Sequence, residues 1–225
     1  MKRYLLLSIL GLLAFSVRNL SASQIQCPTT NSTFDQLLAF NSEANGCYSQ
    51  DKLFWGFTYT PTGTDGAAST VNAQLIFTSL ASGDIHGWNF GSNDWSDPYT
   101  IGYTIEVCPP TSACAGNVAA GTEIRATDAA YAPTFGTVGT ETVTYTGGYT
   151  NTFVLTPSNA YEGAAFGFYT LGPITVMGQF AGDGDVTQTT LRFYEGSVPE
   201  PMTLLLVGGG LLGVGLLSSK RRKKA

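Results

Sequence analysis

The chain has 225 residues, of which 43% are hydrophobic, 12% aromatic and 12% charged, and its formal net charge is −5. The cations gather at the two ends, so residues 24–197 hold three basic and fifteen acidic residues, a formal charge of −12. A body this acidic repels phosphate backbones, which excludes nucleic-acid binding.

The first 23 residues have the composition of a secretory signal peptide. A positive start is followed by a leucine-rich apolar run over 4–17 and by small residues at 21–23. This order predicts cleavage near Gln24. The alternative is an uncleaved N-terminal anchor, although the apolar run is short for a bilayer span. If the signal peptide is cleaved, the sequence predicts one exported domain over 24–197.

Four cysteines lie in this exported region: Cys27, Cys47, Cys108 and Cys114. An even number in an oxidising compartment indicates two disulfides. A zinc site would need closer cysteine pairs and more histidines than the single His86. Of the three connectivities that four cysteines allow, we expect Cys27–Cys47 and Cys108–Cys114, because these two loops neither nest nor cross.

The exported region reads as short strands separated by turns. Residues 24–52 hold one short helical pattern at Phe34, Leu37, Leu38 and Phe40. Strand patterns follow at 53–60, 71–80, 99–107, 122–127, 141–146, 151–156, 164–171, 174–180 and 189–195. The clearest is 99–107, where apolar and largely polar positions alternate. About ten short strands without a sustained helical period predict an all-β domain, an antiparallel β-sandwich of jelly-roll type.

The stretch 84–99 is the richest in candidate binding residues, because it combines aromatic rings with short acidic and amide side chains. Flat rings stack on sugar faces, while carboxylates and amides bind hydroxyls. The alternative is a hairpin in which Trp88 packs inward while the pairs 93–94 and 97–98 form turns. The candidate glycan-binding residues are Trp88, Asp94, Trp95, Asp97 and Tyr99.

Signatures of catalysis and metal binding are sparse. A Ser-His-Asp triad needs three groups in mutual geometry, so a structural role for His86 is favoured. Paired carboxylates among the fifteen acids leave a secreted glycan hydrolase as the alternative to a binding protein. Asp183 and Asp185 on a glycine-containing loop are candidate Ca²⁺ ligands, but a plain turn explains the loop equally well. No cofactor is expected.

The end of the chain has three successive parts. Val198-Pro199-Glu200-Pro201 is followed by an uncharged run over 202–219 and by Lys220-Arg221-Arg222-Lys223-Lys224. As a helix, the run covers roughly 27 Å at about 1.5 Å per residue, close to the thickness of a hydrocarbon core. The basic end stays on the cytoplasmic side. The sequence therefore predicts a transmembrane helix over 202–219 with a cytoplasmic end at 220–225.

This three-part tail, residues 198–225, resembles the PEP-CTERM sorting signal of Gram-negative bacteria. Cys27, Gly46-Cys47, 51–54 and 57–59 are similar to the opening of uncharacterised secreted proteins with this signal. The resemblance implies an exosortase-type membrane protease-transpeptidase that acts at the Pro-Glu-Pro motif. It also implies an inner-membrane intermediate and then a cell-surface or extracellular location.

The same resemblance favours a non-catalytic role in the extracellular matrix. Bacteria with this sorting system commonly make exopolysaccharide. By this association, the implied role is structural or binding, in a biofilm or matrix with extracellular polysaccharide as the candidate partner.

These assignments predict the ends of the mature protein. Where exosortase is present, the chain should begin near Gln24 and end close to 199–201, because the short apolar helix and basic end suit a transient membrane stop. Intact mass spectrometry of membrane and medium fractions measures both ends. Finding only the full-length tail in every fraction would reduce the tail to a simple anchor.

Overall fold

A computed structural model describes residues 24–29, 32–62, 67–80, 83–95, 97–118, 122–134, 136–182 and 185–197. The predicted signal peptide lies outside the described residues, as do the sorting motif 198–201, the apolar run 202–219 and the basic end 220–225. Among the residues described, no helix has both the length and the apolar character needed to cross a bilayer.

Strands dominate the described part of the chain, with one short α-helix and two 3₁₀ helices between them. The strands are β1 Ile25–Gln26, β2 Ser32–Thr33, β3 Cys47–Ser49, β4 Lys52–Pro61, β5 Asn72–Thr78, β6 Ile85–Trp95, β7 Tyr99–Val107, β8 Thr122–Pro133, β9 Thr140–Gly147, β10 Asn151–Leu155, β11 Tyr161–Thr170, β12 Ile174–Ala181 and β13 Val186–Ser197. The helices are α1 Phe34–Leu37, η1 Glu43–Asn45 and η2 Ala115–Asn117.

Two sheets form the architecture. Sheet one has the strand order β1-β3-β4-β7-β12-β9-β10, and sheet two has the order β11-β8-β13-β6-β5-β2. Strand pairs are antiparallel except for β1 and β3. The prediction of an all-β, antiparallel β-sandwich is confirmed at this level, and the jelly-roll assignment stays a prediction.

Several predicted elements are found, with one informative difference. The strand predicted over 99–107 is β7, and α1 begins at Phe34, where a short helix was expected. The stretch 84–99 is not a hairpin with a turn at 93–94, because β6 continues to Trp95. Its partner β13 shifts register between Val186 and Gln188, so β6 has an irregularity where a turn was predicted.

Aromatic rings from both sheets fill the space between them. Tyr103 of β7 lies among four of them, with centroid distances of 5.6–6.2 Å. Two belong to sheet one and two to sheet two: Phe54, Phe57, Phe90 and Phe193. This stacked, tilted and edge-on packing adds to the hydrophobic stabilisation that burial gives each ring.

Tyrosine hydroxyls of sheet one also cross the core to reach sheet two. The Tyr103 hydroxyl donates to the Leu191 carbonyl at 2.9 Å, and the Tyr145 hydroxyl donates to the Asp128 carbonyl at 3.0 Å. Both side chains are buried, so these bonds supply the partners that polar atoms need away from water.

Both predicted disulfides are confirmed. Cys27 and Cys47 have a Cα separation of 4.7 Å, and Cys108 and Cys114 one of 5.7 Å. The first joins the start of the domain to β3. The second closes the loop that follows β7.

The carboxyl group of Glu141 lies inside this core. Glu141 of β9 is fully buried, and its Oε2 accepts a hydrogen bond from Thr189 Oγ1 at 3.0 Å. Burial raises the pKa of Glu141 to about 8, although the Thr189 hydrogen bond acts in the opposite direction. The side chain is therefore mostly protonated at neutral pH. Gly178 of β12 leaves room for it, since a Cβ there would lie 2.6 Å from Glu141 Oε1.

The raised pKa of Glu141 predicts a pH-dependent stability. The folded state binds a proton that the unfolded state releases near 4.5, so the free energy of unfolding should fall as pH rises from about 4.5 to about 8. Each unit of pKa difference corresponds to about 1.4 kcal/mol. Glu141→Gln keeps an acceptor for Thr189 and removes the titration, so it should flatten the profile and stabilise the protein at alkaline pH.

Urea unfolding across this pH range measures the effect. The difference between the two profiles isolates Glu141, because Glu106, whose pKa is raised to about 7 by burial and the Glu43 charge, is present in both proteins. The partly exposed Glu162 serves as a control through Glu162→Gln. Parallel profiles for wild type and Glu141→Gln would contradict the buried-acid assignment.

Candidate functional site

The predicted sugar-stacking rings lie in the core. Trp88, Trp95 and Tyr99 are each at most 1% exposed. Trp95 stacks on Tyr99 with 4.4 Å between ring centroids, and its Nε1 donates to the Tyr59 hydroxyl at 2.9 Å. The prediction that these rings bind glycan is corrected, because a ring must have an accessible face to stack on a sugar.

The predicted acidic residues do not form a site with those rings. Asp94 belongs to β6, but its side chain is outside the described part. Asp97 is partly exposed in the loop before β7. Of the Ca²⁺ candidates, Asp183 lies outside the described residues. The main-chain carbonyl of Asp185 accepts hydrogen bonds from Thr134 and Thr137, as expected of a structured loop.

A polar surface that the sequence did not reveal lies on the outer side of sheet two. Gln74 of β5, Asn89 of β6 and Thr190 of β13 lie side by side, because Asn89 is in register with both others. Thr190 Oγ1 donates to Asn89 Oδ1 and accepts from Gln188 Nε2, each at 3.1 Å. We call this surface the amide face and define it by Asn72, Gln74, Asn89, Gln188 and Thr190.

Small residues on the amide face leave space above the sheet backbone. Gly91 of β6 is in register with Asn72 of β5 on one side and with Gln188 of β13 on the other. Ala132 of β8 is in register with Gln188 on the far side of β13. At Gly87 a Cβ would lie 2.2 Å from the Leu191 carbonyl oxygen, so no side chain fits there without movement of the backbone. Two adjoining depressions of about 230 and 360 Å³ lie on this face and share Gln74 and Asn89, and Gly91 lines the smaller one.

An ion pair borders the amide face. The Arg192 guanidinium donates to both carboxylate oxygens of Asp128, at 2.7 and 2.9 Å. Tyr194 and Tyr161 also donate to Asp128, the latter at 3.3 Å. Asp128 is 1% exposed, whereas the Tyr161 ring is 54% exposed. A third depression, of about 330 Å³, lies beside Asp128, Tyr161 and Tyr194.

This arrangement suits recognition of hydroxyl groups. Side-chain amides carry both a donor and an acceptor, and hydroxyls can do either. The exposed Tyr161 ring adds an apolar face at one end. The Asp128 carboxylate accepts four hydrogen bonds from neighbouring side chains, so its position and that of Arg192 are fixed. The surface is thus preorganised for a polar, uncharged molecule.

A second cluster of ionisable groups lies between the sheets. It consists of Asp51 in the β3–β4 turn, Lys52 of β4, His86 of β6 and Glu195 of β13, and we call it the Lys52 cluster. Lys52 Nζ contacts Asp51 Oδ1 at 2.7 Å and also contacts Glu195 Oε2. His86 Nε2 lies 3.5 Å from Glu195 Oε2. All four residues are buried.

The Lys52 cluster has the ligand types of a metal site, but it already contains a cation. Asp51, His86 and Glu195 offer ligand atoms within 4.8 Å of one another. Burial alone would raise the pKa of Glu195, but the neighbouring His86 and Lys52 lower it to about 2. The ammonium contacts both carboxylates, so it supplies positive charge where a metal ion would otherwise bind.

Comparisons with known proteins add no family assignment. No protein-family model matches the chain, and neither does any curated protein. Among solved structures, the chain is similar to TmCBM61 in complex with β-1,4-galactotriose, with 10% identity, a TM-score of 0.32, and coverage of 63% of this chain and 88% of that one.

A second similar structure is described as carbohydrate-binding modules of the β-sandwich superfamily with promiscuous specificity. The identity is 9%, the TM-score is 0.26, and the match covers 60% of this chain and 54% of that one. Both TM-scores are below 0.5, so neither similarity carries an argument about what this chain binds.

The buried position of Trp95 predicts the effect of its removal. Trp95→Ala should lower the free energy of unfolding by about 3–5 kcal/mol, because it deletes a large core ring and leaves a cavity. Urea unfolding measures this loss, and Tyr161→Ala, which removes an exposed ring, should change stability far less. Unchanged stability in Trp95→Ala together with lost polysaccharide retention would restore Trp95 as a sugar-stacking residue.

Proposed function

We propose that this protein is a non-catalytic, exported module that binds a neutral polysaccharide along the amide face. The observation that carries the proposal is the row of amide and hydroxyl side chains across β5, β6 and β13. Glycine and alanine occupy the neighbouring positions of the same sheet face. Because these residues have small side chains or none, an extended polysaccharide chain has room to lie across several strands.

The charges around the amide face favour a neutral ligand. Arg192 is the cation at its edge, and its guanidinium is paired with Asp128 through two hydrogen bonds. The exported region as a whole has a formal charge of −12, which repels acidic polymers. Uncharged sugars are not repelled by this acidic region, and their hydroxyl groups do not need an unpaired cation to bind.

The same surface supports binding over hydrolysis. Among the described residues that line the three depressions, Asp128 is the only carboxylate. It is buried and occupied by Arg192, Tyr161 and Tyr194. Glycoside hydrolysis uses a pair of carboxyl groups about 5–9 Å apart. The amide face therefore offers recognition groups without that catalytic pair.

The location belongs to the same proposal. The signal peptide exports the chain, and the tail 198–225, which resembles a PEP-CTERM signal, holds it in the inner membrane until an exosortase-type enzyme acts. The mature domain then reaches the cell surface or the extracellular matrix. There a polysaccharide-binding face would attach the protein to exopolysaccharide in a biofilm.

A pair of matched variants tests the amide face. Gln74→Ala and Gln179→Ala each remove an exposed glutamine from the middle of a strand, the first on the amide face and the second on the outer side of sheet one. Loss of one or two hydrogen bonds to the ligand, each about 1 kcal/mol, should weaken binding roughly tenfold for Gln74→Ala. Gln179→Ala should bind as the wild type.

Affinity electrophoresis in gels containing neutral or uronic-acid polysaccharides measures this binding. We expect retention by a neutral polymer that changes little between low and high salt, since no charge pair forms. Equal retention of the Gln74 and Gln179 variants would reject the amide face as the binding surface. Retention only by acidic polymers, lost at high salt, would reject the neutral ligand.

A further inference from the structure

The Lys52 cluster places an amine against a carboxyl group inside the sandwich. Lys52 is 0% exposed on β4 of sheet one, and its Nζ contacts Oε2 of Glu195 on β13 of sheet two. These two residues are 143 positions apart in the chain. Neither their function nor their contact is explained by the amide face, which lies on the outer side of sheet two.

Two features of the cluster make it unlike an ordinary salt bridge. A surface ion pair is stabilised by water around both charges, whereas here the ammonium and both carboxylates are buried. Two carboxylates also face one ammonium, so the charges of these three groups do not cancel. Both ring nitrogens of His86 are buried without a hydrogen-bond partner.

We propose that Lys52 and Glu195 condense to an intramolecular amide that joins the two sheets covalently. Lys52 Nζ forms a bond to Glu195 Cδ, and one Cδ–O bond breaks. The ammonium gives up two protons, and both leave with the released oxygen as one water molecule. One hydrogen stays on the amide nitrogen. No oxidant or cofactor takes part, and the product carries two fewer buried charges.

Asp51 is the group placed to move the proton. Its Oδ1 lies 2.7 Å from Lys52 Nζ, so it can accept a proton from the ammonium and expose the nucleophilic amine. His86 Nε2 lies 3.8 Å from Asp51 Oδ1 and 3.5 Å from Glu195 Oε2. It is therefore beside the carboxyl group from which one oxygen must leave. Asp51 transfers the two protons of the ammonium to the leaving oxygen one after the other, and it ends the reaction as a carboxylate.

The surrounding fold holds these groups in place. The Asp51 carbonyl accepts a hydrogen bond at 2.8 Å from the main-chain nitrogen of Cys108, a disulfide residue. β4 and β13 are each paired on both sides within their sheets. Fixing two reacting groups in contact replaces an encounter in solution by a first-order step. A reaction that occurs once in the life of the molecule does not need to be fast.

Tryptic mapping of the full chain tests the bond. Within residues 24–197, trypsin can cleave only after Lys52, Arg125 and Arg192. With the bond formed, Lys52 resists cleavage, and the peptide that contains it continues to Arg125. That peptide should remain joined to the one that begins at Phe193 after reduction and denaturation. The joined pair should weigh one water molecule less than the sum of its parts.

Variants separate the bond from other ways to lose water. Asp51→Asn should leave Lys52 cleavable and the peptides separate, whereas Asp97→Asn, an acid outside the cluster, should leave the joined pair intact. Loss of water without the Phe193 peptide attached, as in cyclisation at Asp51, would overturn the proposal. So would wild-type protein cleaved after Lys52 at full mass, a result that does not depend on whether any variant folds.

Discussion

The two sheets depend on tyrosine side chains that cross the core to find hydrogen-bond partners. A tyrosine ring is large enough to fill the space between sheets, but its hydroxyl must be satisfied when water is excluded. Tyr103 and Tyr145 reach main-chain carbonyls of the opposite sheet. Tyr99 shares a 2.6 Å hydrogen bond with Thr189, which in turn donates to Glu141. These bonds fix the relative position of the sheets more narrowly than apolar packing alone.

The same bonds connect the core to the outer surface. Tyr145 holds the carbonyl of Asp128, whose side chain on the opposite side of β8 holds Arg192 and Tyr194. Tyr103 holds the carbonyl of Leu191, which precedes Arg192 on β13. The edge of the amide face is therefore positioned by the residues that join the sheets. A binding surface built on such strands has little backbone to order when a ligand arrives.

The fold class could be predicted because strand alternation and turn residues are local signals. Residues 99–107 alternate over their full length, and they form β7 as expected. The predicted site failed because a ring that fills a core and a ring that binds sugar look the same in sequence. Trp95 is five positions beyond the inward-facing Phe90 and would point outward on a regular strand. The register shift opposite it turns Trp95 inward, and nothing in the sequence marks that shift.

The amide face was missed for a different reason. Its residues come from three segments, around 72–74, 89 and 188–190, and each segment alone shows only the polar side of a strand. They become one surface because β6 lies between β5 and β13, and strand order is a long-range property. A pattern with period 2 assigns side chains to a face but does not say which strands share it.

Charge placement connects the interior with the choice of ligand. Of the three cations in residues 24–197, Lys52 is enclosed by carboxylates in the core, and Arg192 is paired with the buried Asp128. Only Arg125 is left to oppose the remaining acids. Two of the three cations are therefore paired with buried carboxylates and do not offset the charge of the acidic surface. An acidic polymer would meet repulsion at the amide face, where the bordering Arg192 is already paired with Asp128, while a neutral sugar chain needs only the hydrogen-bonding groups that the face presents.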